Sequence, residues 1–146
     1  MSNIALEVKN LSVEFHLRGK IVKAVSNLSW KLEKGNTLGI VGESGCGKSV
    51  SSLAILKLIP NPPGKISSGS IHYEGEDIVK ISDRQIRNIR GKKISMIFQE
   101  PMTSLNPLMT VGKQISELLE RHFDLSKKEI QKRAKNILDL VQIPDS

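Results

Sequence analysis

The sequence predicts an α/β fold, and three observations carry that prediction. The first thirty-odd residues alternate apolar and polar side chains with the period of two that marks half-buried strands. Leu38 to Val41, a short apolar run, leads straight into Gly42-Glu43-Ser44-Gly45-Cys46-Gly47-Lys48-Ser49, and a helical run, Val50 to Ile59, follows. Farther on, the apolar run Ile94 to Phe98 precedes two amphipathic helical patterns. Strand-like segments separated by helical ones indicate a sheet covered by helices.

The glycine-rich turn has the form Gly-x-x-x-x-Gly-Lys-Ser, in the strand–loop–helix context that a phosphate-binding loop requires. Gly42, Gly45 and Gly47 can take backbone angles closed to other residues. Successive N–H groups can then turn inward to form a concave anion site, backed by the positive end of the following helix. Lys48 adds a full charge for terminal phosphates, and the Ser49 hydroxyl suits the shell of a hydrated magnesium ion. A chance glycine turn would not combine all four fixed positions with both flanking elements. The loop is expected to bind a nucleoside triphosphate.

In chain order, Ile4 to Phe15 reads as a strand with a break or bulge at Lys9-Asn10, and Arg18-Gly19-Lys20 as a turn. Ile21 to Leu32 reads as its antiparallel partner. Val8-Lys9-Asn10-Leu11-Ser12 and Val25-Ser26-Asn27-Leu28-Ser29 look alike, but one pair does not make a repeat. Glu33-Lys34-Gly35-Asn36 turns the chain toward the strand Leu38 to Val41. The next helix is expected to run to Ile59, where Pro60, Pro62 and Pro63 forbid its continuation. Ser67-Ser68-Gly69 reads as a flexible connector, Ser70 to Tyr73 as a short strand, and Glu74-Gly75-Glu76-Asp77 as a turn. Ser82-Asp83-Arg84-Gln85 has capping-box form and opens a helix to about Ile89, ended by Gly91. Ile94 to Phe98 reads as a compact buried strand, and Gln99 to Pro107 as loop. Val111 to Phe123 has helical spacing, and Ser126-Lys127-Lys128-Glu129 is a second capping box, starting a helix that ends before Pro144.

The 146 residues make one domain's worth of chain, with a net charge of +7 and a single cysteine. Aromatic content is 3%, so the core must be aliphatic. One cysteine excludes an intrachain disulfide and suits a reducing compartment. The N-terminus shows neither a basic start nor an apolar run, and Lys57 interrupts the longest apolar stretch, so a cytosolic location is expected. The positive excess falls in the second part of the chain: nine basic and seven acidic residues up to Val79, thirteen and eight from Lys80 on. Lys127, Lys128, Lys132, Arg133 and Lys135 share a helical pattern with Ile130, Ala134, Ile137, Leu138 and Val141, which is the solvated face of an amphipathic helix. No aromatic residues interleave with them to stack bases, so nucleic acid is not expected as a partner. His16, His72 and His122 are isolated, without metal-ligand spacing.

Two passages carry a resemblance. Val41 to Ser49 resembles the nucleotide-binding motif of ABC transporter ATPases. Phe98-Gln99-Glu100-Pro101-Met102-Thr103-Ser104-Leu105-Asn106-Pro107 resembles the glutamine loop of the oligopeptide/dipeptide (and nickel) importer branch, and is the more specific of the two. Val8 to Phe15 and Lys23-Ala24-Val25 are similar to the same branch. All 146 residues fit, covering about the first half of a typical member.

The resemblance implies an ABC-type nucleotide-binding core of the P-loop class. Residues 1–36 would form an antiparallel β subdomain, 37–99 the phosphate-loop core, and 100–146 the glutamine loop with the start of a helical subdomain. It implies that Gly42, Glu43, Ser44, Gly45, Cys46, Gly47, Lys48, Ser49 and Val50 bind ATP, and that Phe15 stacks on the adenine. A phenylalanine at a strand end is also an ordinary core residue, and both readings of Phe15 stand. Ser49 and Gln99 would serve Mg2+, and Lys48 and Gln99 would act in catalysis. Cys46 needs only to be small, since no histidine is placed to activate it. The implied partners are a second ATP-binding subunit, membrane permease subunits and, indirectly, an extracytoplasmic solute-binding protein. The implied location is the cytoplasmic face of the membrane, and the implied activity is ATP-powered peptide import.

Hydrolysis in this family uses a glutamate after an apolar strand that ends in aspartate, and a Leu-Ser-Gly-Gly signature. Neither occurs here: Ile137-Leu138-Asp139-Leu140-Val141 lies on a helical pattern, and Ser67-Ser68-Gly69-Ser70 precedes a strand. The 146 residues alone are therefore expected to bind nucleotide at most, and the run Leu38 to Val41 is expected to lack strand partners, which favours self-association. Two other classes share the loop. A small P-loop kinase would place it near the N-terminus, whereas about forty strand-like residues precede it here. A non-catalytic nucleotide-binding module would bind ATP without turnover in any assembly.

Overall fold

The computed structural model describes residues 3–99 and 105–143, and its described elements fall into two compact units, up to Arg87 and from Asn88 on. In the first unit, β1 (Ile4–Leu17) and β2 (Lys20–Glu33) form a long antiparallel hairpin. β3 (Gly64–Tyr73) pairs antiparallel with β1, and β4 (Glu76–Asp77) pairs with β3, giving the order β2-β1-β3-β4. Helix α1 (Lys48–Ile55) packs on β1 and β2. Val8, Leu11, Val13, Val25, Ala54 and Ile71 are buried, an aliphatic core as the composition requires. Glu7 is the charged exception, and it is paired with Lys9 at 2.8 Å and Lys31 at 3.0 Å.

The break at Lys9-Asn10 is a bulge, and it has a counterpart on β2. Asn10 and Asn27 both take left-handed backbone angles (φ 48° and 52°), and Leu11 pairs with Leu28 between them. Each bulge is closed by a serine of the other strand. The Asn10 N–H donates to Ser29 Oγ at 2.8 Å, and the Asn27 N–H to Ser12 Oγ at 3.1 Å.

Four sequence expectations need correction. Ser67-Ser68-Gly69 is not a connector but the middle of β3, where Ser68 pairs with Ser12 and Ser70 with Lys9. Small residues belong there because β1 bulges toward them: a Cβ on Gly69 would lie 2.5 Å from the carbonyl oxygens of both Lys9 and Asn10. Helix α1 stops at Ile55, before the prolines. Lys57 turns left-handed (φ 50°) and the Leu58 N–H returns to the Leu53 carbonyl at 2.9 Å, closing the helix end through the backbone. The Lys57 ammonium, donating to the Ile81 carbonyl at 2.8 Å, holds that reversal.

Neither Leu38 to Val41 nor Ile94 to Phe98 is a strand. The first run forms no ladder, and Val41 is 93% exposed. In the second, only an isolated bridge joins Ile94 to Arg90, and Ile97 is 98% exposed. Apolar patterning marks a segment suited to a buried sheet, but a strand exists only where a neighbour accepts its hydrogen bonds. No described strand does so for either segment.

Helix α2 (Asp83–Ile89) opens on the Ser82 box, with the Ser82 N–H donating to Gln85 Oε1 at 2.9 Å and the Gln85 N–H to Ser82 Oγ at 3.3 Å. In the second unit, α3 (Val111–His122) and α4 (Lys127–Leu140) pack as a helical hairpin around Leu119, Ile130 and Ala134. Thr110 caps α3, and Ser126 with Glu129 forms the reciprocal box of α4. Its Ser126 hydrogen bonds hold the Glu129 carboxyl below the ordinary glutamate value. No described helix is long and apolar enough to cross a membrane.

Candidate functional site: the glycine loop before helix α1

Residues 42–47 reach helix α1 through two left-handed glycines, Gly45 (φ 82°) and Gly47 (φ 93°), and Gly47 is the N-cap. Two contacts explain why side chains are missing here. β2 carries an extra residue at Ala24, between the pairs Val13–Val25 and Glu14–Lys23. That bulge places the Ala24 carbonyl against Gly47, where an added Cβ would come within 2.4 Å of the oxygen. A Cβ on Gly42 would lie 2.7 Å from Cys46 Sγ. Cys46 therefore fills the space that Gly42 leaves open, a pairing that residue spacing alone does not reveal.

The loop's donors are largely unspent. Within it, the Cys46 N–H reaches the Glu43 carbonyl at 3.4 Å. Among the described residues, the N–H groups of Gly45, Gly47, Lys48, Ser49 and Val50 donate to no protein carbonyl. Those of Gly47, Lys48, Ser49 and Val50 are the first donors of helix α1, which carry partial positive charge and need an external acceptor. The Lys48 carbonyl is bound from farther along the helix: the Ser51 and Ser52 hydroxyls both donate to it, at 2.7 and 3.2 Å.

Lys48 is bent back across its own loop. Its Nζ donates to the Gly42 and Glu43 carbonyls, each at 2.7 Å, and lies 3.5 Å from Cys46 Sγ. An ammonium has three donors and no acceptor, so it is held among the loop's backbone groups rather than free in solvent. Ser49 is exposed, and its hydroxyl has no protein partner among the described residues. The donor set, free N–H groups with one cation and one hydroxyl, fits a polyphosphate with a hard cation beside it.

Phe15 lies in the same unit, half-buried near the end of β1 and paired with Gly64. Its ring packs so closely on Gly64 that a Cβ there would sit 3.0 Å from Cε1. Gln99 belongs to the second unit and is exposed. Glu100, Pro101, Met102, Thr103 and Ser104 of the predicted glutamine loop lie outside the described residues.

The sequence profile described as ABC transporter matches residues 25–146. The chain belongs to the ABC transporter family. It is 55% identical over 139 residues to the oligopeptide transport ATP-binding protein OppD of Bacillus subtilis, covering 95% of this chain and 39% of that protein. It is 50% identical to the dipeptide transport ATP-binding protein DppD of the same organism, covering 96% of this chain and 42% of the relative. The chain thus spans about two-fifths of the length of these curated relatives. Among solved structures, the dimeric bacterial ABC transporter cassette MJ0796 superposes with a TM-score of 0.81 at 25% identity, over 96% of this chain and 58% of that one. The resemblance to the oligopeptide/dipeptide ATP-binding branch is therefore sound, and so is the cassette fold.

Proposed function

We propose that this chain forms the ATP-gripping part of an ATP-binding subunit that powers peptide import. The observation that carries the reading is the set of unpartnered N–H groups of Gly45, Gly47, Lys48, Ser49 and Val50, with Lys48 folded over the same loop. The names of the relatives supply the cargo class.

Gly42 through Val50 would hold the phosphates, the backbone donors acting as a fixed positive rim that needs no reorganisation on binding. Lys48 would exchange its two carbonyl partners for phosphate oxygens. Phe15 would offer its exposed ring portion to the adenine. Ser49 would hold Mg2+, which when bound screens the charge of the terminal phosphates. Gln99 would orient the attacking water by its side-chain amide. The 146 residues contain no glutamate placed after an apolar strand and an aspartate, so this stretch by itself would retain nucleotide without turning it over.

The partners follow from the same reading: a second ATP-binding subunit, permease subunits that the Gln99 loop would face, and a solute-binding protein on the far side. The subunit would sit at the cytoplasmic surface of the membrane. The deciding experiment reconstitutes the importer carrying this sequence into vesicles and measures ATP hydrolysis with and without peptide-loaded binding protein. Peptide-stimulated hydrolysis supports the reading. Transfer of phosphate to a small-molecule acceptor instead would replace it with a kinase.

A further inference from the structure

The main chain at Asn106, seven residues after Gln99, is fixed to helix α3 by one side chain. The Asn106 N–H donates to Gln114 Oε1 at 2.9 Å, and Gln114 Nε2 donates back to the Asn106 carbonyl at 3.0 Å. The same Nε2 reaches the Met109 carbonyl at 3.0 Å. A primary amide carries its donor and acceptor side by side, so Gln114 copies one rung of a β ladder against Asn106. The turn it grips is closed internally as well. Asn106 Oδ1 accepts from the Leu108 N–H at 2.9 Å, and the Met109 N–H donates to the Asn106 carbonyl at 3.1 Å. Gln114 is itself fixed in the first turn of α3, its N–H donating to the Thr110 carbonyl at 3.1 Å. Inside this clamped turn Leu108 is 91% exposed, so burial of its side chain does not hold the turn in place.

We propose that Gln114 is a positioning residue that ties the downstream end of the Gln99 loop to helix α3. The inference rests on the role given to Gln99 above. Seven residues of extended chain span at most roughly 25 Å, whereas eleven, the distance to the cap Thr110, span roughly 39 Å. With the clamp, seven residues rather than eleven separate Gln99 from the first point fixed to α3, which shortens the greatest reach of that tether by about a third. Gln114 touches neither nucleotide nor cargo. It converts movement at Gln99 into a pull on the helical hairpin.

The test uses the assembled importer with Gln114→Met, which keeps length and loses the amide, and Gln114→Glu, which keeps the acceptor and loses both donations. The readouts are KM for MgATP, peptide-stimulated kcat, ATP consumed per peptide moved, and amide exchange at Leu108 and Met109. Gln114→Met, which removes all three amide hydrogen bonds, is expected to leave KM within about twofold while cutting the peptide-stimulated part of kcat about tenfold. ATP spent per peptide rises, exchange at Met109 quickens, and Gln114→Glu falls between. Wild-type stimulation and coupling in Gln114→Met, or a KM change that matches the kcat change, overturns the proposal. If Gln114→Met does not fold, Gln114→Glu decides on the same readouts. A wild-type assembly that hydrolyses ATP without response to peptide overturns the importer reading itself, and this inference with it.

Discussion

The Asn10 N–H donates to Ser29 Oγ at 2.8 Å while the Ser29 hydroxyl donates back to Asn10 Oδ1 at 3.1 Å, so residues nineteen apart in sequence close one β-bulge between them. The matching bulge at Asn27 is closed by Ser12. Asparagine suits both positions because it tolerates the left-handed region better than other residues with a Cβ. Replacing Ser29 by alanine removes the acceptor of an N–H that bulging has taken out of the ladder. The expected cost is about 1 kcal/mol, read as a lower urea midpoint at unchanged slope, and Ser12→Ala should resemble it. An unchanged midpoint in both variants would show that water replaces the serines without loss.

Gly47 answers to two constraints at once, a φ of 93° and the Ala24 carbonyl beside it. Gly47→Ala must strain the backbone and displace either α1 or the β2 bulge. A destabilisation of roughly 1–3 kcal/mol is expected, with loss of nucleotide binding, measured by denaturation and by titration with MgATP. Gly35→Ala is the control for left-handed strain alone, since its φ is 79° and nothing lies within 4 Å. It should weaken the fold without touching nucleotide affinity.

Gly69 sits where β3 passes the Asn10 bulge, and an added methyl would meet two backbone oxygens at 2.5 Å. Neither oxygen is at the end of a flexible chain, so the β1–β3 ladder has to give way. Gly69→Ala should destabilise by about 2 kcal/mol or more and speed amide exchange along β3.

Hydrogen bonds from Lys9, then Lys31, hold the Glu7 carboxyl below its ordinary value of 4.5. A depressed carboxyl gives stability that is fully present above 4.5 and is lost as pH falls through the lower folded value. Stability against urea should therefore fall as the solution is acidified below 4.5, and fall less steeply in Glu7→Gln. Parallel curves for the two proteins would remove Glu7 from the acid response.

Much of this was legible in the residues, and the gaps have physical reasons. The strand pair, both capping boxes and the glycine loop that opens helix α1 rest on local chemistry, in which a few neighbouring residues decide the backbone. The likeness of Val8–Ser12 to Val25–Ser29 was visible too, but its meaning is a cross-strand exchange of hydroxyls that no single segment contains. The end of α1 was misplaced because three prolines are a louder signal than the left-handed turn of Lys57. Leu38–Val41 and Ile94–Phe98 have the composition of buried strands, yet strand pairing depends on a second chain segment and cannot be read from the first. Gln114 gave no signal at all, since a glutamine in a helical pattern looks like any solvated residue until its amide is seen on Asn106.

At residues 42–50, main-chain donors and one ammonium are proposed to form a triphosphate site. Calorimetric titration of the chain and of Lys48→Ala with MgATP tests it most directly. Loss of one charged donor corresponds to roughly tenfold to hundredfold weaker binding, and that loss is the predicted result. Equal affinity in the two proteins would mean that Lys48 and its loop do not hold the triphosphate.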